Sequence, residues 1–291
     1  MNSCSHDDCN ERQPGPRSWI KLRPWVQTAF LAVWLAPTGT ALHGLPSCVF
    51  HCYSCPLSSL ACPIGLLANY AAVLPAVPTV PFLLVGVLIL VGGLAGSLVC
   101  GWACPFGLVQ DLLGRIRPRK LILPHWLGWG RYVTLLGLVL LLPWLLGRGG
   151  ILFDDQPISF CRLCPAGALE SGLPRSLGSV LAGTGWLMSW YKTVILVAFV
   201  AGSIFIHRPW CRVICPLGGL LALFNRVSLF HLRFKASECV ECSLCRTRCP
   251  VGVKLDLTAN ATDCVRCLEC VACGAIEPAL ALPGDNPEEK K

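Results

Sequence analysis

From Pro24 to Gln110 the chain carries no Asp, Glu, Lys or Arg. Water-soluble folds do not run that far without a charge, so the stretch places the chain in a membrane class. Only 14% of the 291 residues are charged, against about 25% in a soluble domain. The net charge of +8 does not argue for nucleic acid. The basic residues stand beside hydrophobic segments, as membrane orientation requires. Neither a Gly-x-Gly-x-x-Gly fingerprint nor a P-loop occurs.

Four apolar spans are expected, over residues 25–42, 82–99, 132–147 and about 190–206. The first is read as an uncleaved helix, with a cleaved signal peptide as the alternative. The second approaches the roughly 20 residues that cross a bilayer core. Trp126, Trp129 and Trp144 are interfacial anchors for the third, and Lys192 would snorkel from the fourth. Lys and Arg cluster before span one, after span two and after span four, while 41–81 has none. The expectation is an all-α polytopic protein with four crossings and both termini cytoplasmic. Its parts are a polar tail at 1–24, a membrane domain at 25–235, a ferredoxin-like α+β domain at 236–282 and a charged tail at 283–291.

A Cys-Pro-x-Gly unit occurs five times, starting at Cys62, Cys104, Cys164, Cys215 and Cys249. One hydrophobic stretch separates each of the first four from the next, so the copies are expected on alternating faces. Cys62 and Cys164 would face outside, and Cys104 and Cys215 inside. The two halves share one orientation, which implies a parallel repeat about an axis along the membrane normal.

The chain has 20 cysteines, which can mean disulfides, metals or both. Cys239, Cys242, Cys245 and Cys249-Pro250 have the bacterial ferredoxin spacing, and a second run follows at Cys264, Cys267, Cys270 and Cys273. With the fourth ligand crossing over, Cys239, Cys242, Cys245 and Cys273 hold one [4Fe–4S] cluster, and Cys264, Cys267, Cys270 and Cys249 the other. Zinc and disulfides are the alternatives. The second run closes with a gap of two residues and has Gly274 where proline is usual.

Cys100, Cys104, Cys211 and Cys215 supply the four thiolates of an inner cluster bridging the halves; the bland alternative is packing of helix ends. Proline after the second cysteine suits the first turn of a helix, whose N-terminus presents N–H groups and positive dipole to an anionic centre. The following glycine would leave room for a cluster or a partner backbone. An outer set of Cys52, Cys55, Cys62, Cys161 and Cys164 reads either as a cluster site or as disulfides in an oxidising compartment. Cys4 and Cys9 read as incidental cysteines of a disordered tail, and Cys48 has no assigned role. His43, His51, His125 and His207 lie near span ends or motifs, where a histidine could ligate haem, bind a quinone, or simply cap and pack.

The inner motifs, Cys-Gly-Trp-Ala-Cys-Pro-Phe-Gly and Trp-Cys-Arg-Val-Ile-Cys-Pro-Leu-Gly, resemble the membrane-bound ferredoxin-type proteins related to the NapH subunit of periplasmic nitrate reductase systems. The C-terminal domain of the nitrous-oxide reductase regulator is similar. The resemblance covers the four spans, both inner motifs and the ferredoxin segment; the nitrate-reductase members lack the outer set. It implies electron transfer between a quinol or cytoplasmic donor and an extracytoplasmic redox protein, as in a quinol dehydrogenase-like oxidoreductase subunit. It assigns cluster ligation to Cys100, Cys104, Cys211, Cys215 and the eight ferredoxin cysteines. A maturation factor for a metalloenzyme such as a terminal oxidase is the alternative function, and a redox-sensing membrane regulator a third.

Overall fold

The computed structural model describes residues 20–35, 62–78, 81–117, 121, 123–151, 153–156, 158–239, 245–246, 249–254, 258, 260–273 and 275–280. Cys4, Cys9, Cys48, Cys52, Cys55, His43 and His51 lie outside them, as does Cys242.

Proline sets the helix starts. Helix α1 is Arg23–Leu35 and α2 is Pro63–Val73, with Pro63 at its first position after Cys62. Helix α3, Phe82–Ala95, feeds the short α4, Leu98–Trp102, and then α5, Pro105–Gly114. A continuous helical segment α6, His125–Arg148, follows. Its middle, Thr134–Leu141, winds as a π-helix directly before Leu142–Arg148. Pro143 lacks the N–H that would close the i−4 bond, and a π-stretch absorbs such a break.

The second half repeats the order. Helices α7 (Phe160–Leu163) and α8 (Pro165–Gly167) lead through a π-turn to α9 (Leu173–Leu181). Then come α10 (Trp190–Phe205), α11 (Pro209–Val213) and α12 (Pro216–Leu223). Among the described residues, β1, Phe230–Phe234, pairs antiparallel with β2, Ile276–Leu280, in register Phe230 to Leu280. The sheet therefore opens at Phe230, ahead of position 236, and its strands bracket the ferredoxin cysteines.

Among the described residues, α6 is the helix that is both long and apolar enough to cross a membrane, with 24 residues. Helices α3 and α10 are apolar but have 14 and 16 residues, or roughly 21 and 24 Å at about 1.5 Å per residue. Their outward faces are greasy: Phe82, Leu83, Leu90, Trp129, Val133, Trp190 and Val197 are all exposed. Only 28% of the apolar window of α6 is buried. A core helix of a soluble fold would be mostly covered.

One apolar core joins the helices. Ile64, Ala68, Leu88, Val139, Phe160, Phe199, Trp210 and Leu221 meet there. Helix α2 packs on α6 and α12, and α10 packs on α5. A second core, around Leu232, Val251, Val253, Val265 and Ile276, gathers Cys245, Cys264, Cys267 and Cys270.

Candidate functional site

Four of the five Cys-Pro-x-Gly units perform one local act. Cys62, Cys104, Cys164 and Cys215 are N-caps, and Pro63, Pro105, Pro165 and Pro216 occupy the first helical turn. The next amides are free to face the thiol: Gly218 N donates to Cys215 Sγ at 3.4 Å. The amides of Gly107 and Phe106 favour the thiolate of Cys104. The fifth unit differs: Cys249 opens a turn closed by Gly252 N to Cys249 O at 3.2 Å, with Gly252 at φ 76.

The glycine of the motif makes room for backbone. A methyl at Gly107 would sit 3.1 Å from Cys100 O, and one at Gly218 2.8 Å from Cys211 O. Each glycine thus admits the carbonyl of the upstream cysteine of its own motif. The same contact recurring in both halves supports the repeat.

The inner four thiols come together from the two halves. Burial raises the cost of ionising Cys100, and the neighbouring Cys104, Cys211 and Cys215 raise it further. Burial first, then Cys211, pushes Cys104 up to about 12. Gln110 of α5 donates to Cys211 Sγ at 3.1 Å, a bond from one half to the other. A cationic metal centre bound here would take these groups as thiolates, each thiol proton being released to solvent on coordination. The donor set fits an iron–sulfur cluster. Among the described residues, no group of three or more His, Cys, Asp or Glu is placed to hold a single metal ion. A cubane asks for a different arrangement, one thiolate at each of four separate irons.

The described cysteines of the outer motifs join the core that the helices share. Cys62, Cys161 and Cys164 pack on the same apolar core as Cys100 and Cys215. The Phe160 ring lies 6.3 Å from that of Trp210, so the residues just before Cys161 and Cys211 touch. Cys164 lies close enough to Cys215 to raise its pKa. The reason is the return of the chain: α2 and the helical run from Phe160 to Leu181 start at the motif cysteines and lie between the expected spans. Among the described residues, Cys62, Cys161 and Cys164 form no disulfide.

The ferredoxin segment is seated on the inner motif. A small cavity of about 10 Å³ is lined by Cys249, Cys264, Cys267 and Cys270, with Leu232, Val251, Val265 and Leu268 around them. Those four thiols are the set expected from the cross-over. Burial, with Cys267 next, pushes Cys264 up to about 12. Of the other set, Cys245 is buried and Cys239 half-buried. A methyl at Gly101 would lie 2.5 Å from Val265 O and 2.9 Å from Arg266 O, so the loop rests on the backbone between Cys100 and Cys104. Ser97 Oγ and Asn225 Nδ2 both donate to Cys264 O, at 2.7 and 2.9 Å. Arg266, fully buried, donates to Ala95 O, Ser228 Oγ and Asn225 O.

Sequence reasoning missed the polar groups that fasten these parts. Asp111 receives both Arg208, at 2.8 and 2.6 Å, and Arg23. Burial works against the Asp111 carboxylate, but the hydrogen bond and charge of Arg208, then the charge of Arg23, hold its pKa below the usual range. Arg23 Nε and Gln27 Nε2 donate to Gly101 O at 3.0 Å. His207 Nε2 stands 3.8 Å from Asp111 Oδ1, and burial drives its pKa down to about 3, so the ring is neutral. A cleft of about 930 Å³ is lined by Ile20, Pro24, Gln27, Leu108, Asp111, Leu112, His207 and Glu269, among others. His125 instead pairs with Asp263 at 2.5 Å on the surface.

The family model of a 4Fe–4S binding domain matches the chain twice, over residues 77–124 and 186–236. Each match holds one inner motif. The chain is 31% identical over 185 residues to the uncharacterized protein MJ0750 of Methanocaldococcus jannaschii, covering 60% of this chain and 67% of that one. It is 28% identical over 224 residues to YccM of Escherichia coli, covering 75% and 60%. To the ferredoxin-type protein NapH of Haemophilus influenzae it is 27% identical over 189 residues, covering 61% and 59%. The chain thus spans about three fifths to two thirds of the length of these relatives. No solved structure matches it.

Proposed function

The chain belongs to the membrane-bound 4Fe–4S ferredoxin-type family of electron transport proteins, and from that premise we propose that it is a multi-pass electron conduit of the cytoplasmic membrane. Four crossings with both termini cytoplasmic remain the best reading of the Lys and Arg placement. Cys239, Cys242, Cys245 and Cys273 hold one cluster, and Cys264, Cys267, Cys270 and Cys249 a second. Cys100, Cys104, Cys211 and Cys215 hold a third, and members of Cys52, Cys55, Cys62, Cys161 and Cys164 a fourth. Clusters bound there supply one-electron transfer, with the donor a quinol or a cytoplasmic protein and the acceptor extracytoplasmic.

The observation that carries this reading is the shared core. Cys62, Cys161 and Cys164 pack with Cys100 and Cys215, and Phe160 meets Trp210. A bilayer core is roughly 30 Å thick, too far for one useful jump. Outer thiols on the core shared with the inner ones, and a ferredoxin loop seated on Gly101, support a relay of closely placed centres. The residues do the holding: helix N-termini present amides to the thiolates, and Arg23, Arg208 and Asp111 tie the first half to the second. The cleft beside Asp111 and His207 supports a quinol as donor, since it joins apolar walls to hydrogen-bonding groups next to the inner thiols.

Anaerobic purification with iron and sulfide quantitation, followed by EPR redox titration, tests the proposal. We expect about sixteen irons per chain, at four per cubane. About eight, confined to the ferredoxin signals, would sink the conduit.

A further inference from the structure

One cation stands between the two groups of thiols. Arg208 is 0% exposed and sits in the left-handed region, at φ 47, immediately before Pro209. Holding a non-glycine residue there is strained, so the surroundings must offset it. They use most of the guanidinium. Nε and Nη2 donate to the two oxygens of Asp111 at 2.8 and 2.6 Å. Nη1 donates to Cys100 O at 2.6 Å, and Nη2 also to Gly101 O at 3.3 Å. A methyl on Gly107 would stand 3.2 Å from the same guanidinium, which places the Arg208 head under the first turn of α5.

The charge faces both ways. It acts on Cys100, Cys104 and Cys211 of the inner set. It is also within electrostatic reach of Cys267, across the Gly101 contact in the ferredoxin loop. Arg23 flanks Asp111 from the other side and reaches Cys267 as well. Arg23 also pairs with Glu269 at 3.3 Å, so the two guanidiniums and two carboxylates balance in formal charge, and the fully buried charge among them is that of Arg208. That charge is out of contact with water, where screening by salt is weak.

We propose that Arg208 is a positioning residue that sets the reduction potentials of the inner centre and of the ferredoxin centre holding Cys267 together, and that Asp111 trims its charge. The inference rests on the cluster reading above. Reducing a cluster adds one negative charge, so a fixed buried cation favours the reduced state. Because one cation faces both centres, it raises both potentials and leaves the step between them nearly level. An electron then pauses at neither.

The test is EPR redox titration of the full chain, purified anaerobically, as wild type, Arg208→Gln and Asp111→Asn. Removing the cation lowers both midpoints. A tenfold change in each reduction equilibrium is expected, about 59 mV for a one-electron centre. Removing the anion raises both. Opposite signs from neighbouring substitutions are not a signature of damaged structure. Arg208→Gln that retains its iron and titrates like wild type overturns the inference; so does a shift confined to one centre, or two variants that shift the same way. If Arg208→Gln takes up no iron, Asp111→Asn decides alone, with raised midpoints upholding the inference and unchanged or lowered ones overturning it. A wild-type chain holding only about eight irons would instead fail the underlying reading, and the inference with it.

Discussion

Replacing Gly101 by alanine tests whether the ferredoxin loop is truly fastened to the inner motif. The added methyl would lie 2.5 Å from Val265 O and 2.9 Å from Arg266 O, both backbone atoms that cannot swing aside. Ordinary contact needs about 3.4 Å, so the loop must retreat by roughly 0.9 Å or distort α4. That loop is pinned by Ser97 and Asn225 on Cys264 O and by Arg266 on Ala95 O. Overpacking of this kind costs about 1–3 kcal/mol, and each bond stretched beyond use adds about 1 kcal/mol. With roughly 2–4 °C per kcal/mol for a chain of this size class, Gly101→Ala should melt about 5–10 °C below wild type in the same detergent. It should also release the Cys267-centred EPR signal first on heating. Gly86→Ala is the control, because nothing lies within 4 Å of its methyl. Alanine there should be neutral or slightly stabilising, by up to about 1 kcal/mol. Equal melting of Gly101→Ala and wild type would refute the seating of the domain.

Three further outcomes follow from the same contacts. Cys267→Ser should lose about four irons while the inner signal persists; loss of every cluster would mean that Cys267 holds the fold rather than one centre. Arg266→Met leaves the acceptors Ala95 O, Ser228 Oγ and Asn225 O without their donor, at about 1–3 kcal/mol apiece. A melting curve within about 2 °C of wild type would contradict that. Acid should weaken the fold through His207. Its folded pKa of about 3 lies below the ordinary 6.5, so between those values the unfolded chain binds the proton and the folded chain does not. Stability then falls as pH drops through that window, by at most about 1.4 kcal/mol per unit. The Asp111 contribution, from a depressed carboxylate, persists until below about pH 4. His207→Gln should flatten the loss between pH 6.5 and 5, measured by chemical denaturation; an unchanged slope would assign it elsewhere.

The helix starts at Cys62, Cys104, Cys164 and Cys215 were legible because proline and an N-cap leave a local signature of four residues. The pairing of Cys249 with the run from Cys264 was legible because cluster spacing is rigid. Depth was not. Pro63–Val73 has 11 residues, too few to read as a span, so the helix that carries Cys62 inward was taken for loop. Arg23, Arg208 and Arg212 counted as cytoplasmic charges when only their neighbours in sequence were considered. They are 7%, 0% and 5% exposed. Arg208 finds Asp111 at 97 positions' separation, and no periodicity announces such a partner. A buried arginine and an interfacial one look alike until the fold brings the carboxylate to it.

The short joint between α12 and β1 has a kinetic consequence. Helix α12 ends at Leu223 and β1 begins at Phe230, with Ser228 Oγ bonded to Phe230 O and also receiving Arg266. No slack separates the helical core from the ferredoxin module. A module on a loose tether can ferry charge by swinging between docking sites, and its turnover is then set by the swing. Here the module is a fixed berth. Under the proposed conduit function a soluble partner comes to it, so the rate of delivery should scale with partner concentration and ionic strength, and not with any reorientation within the chain.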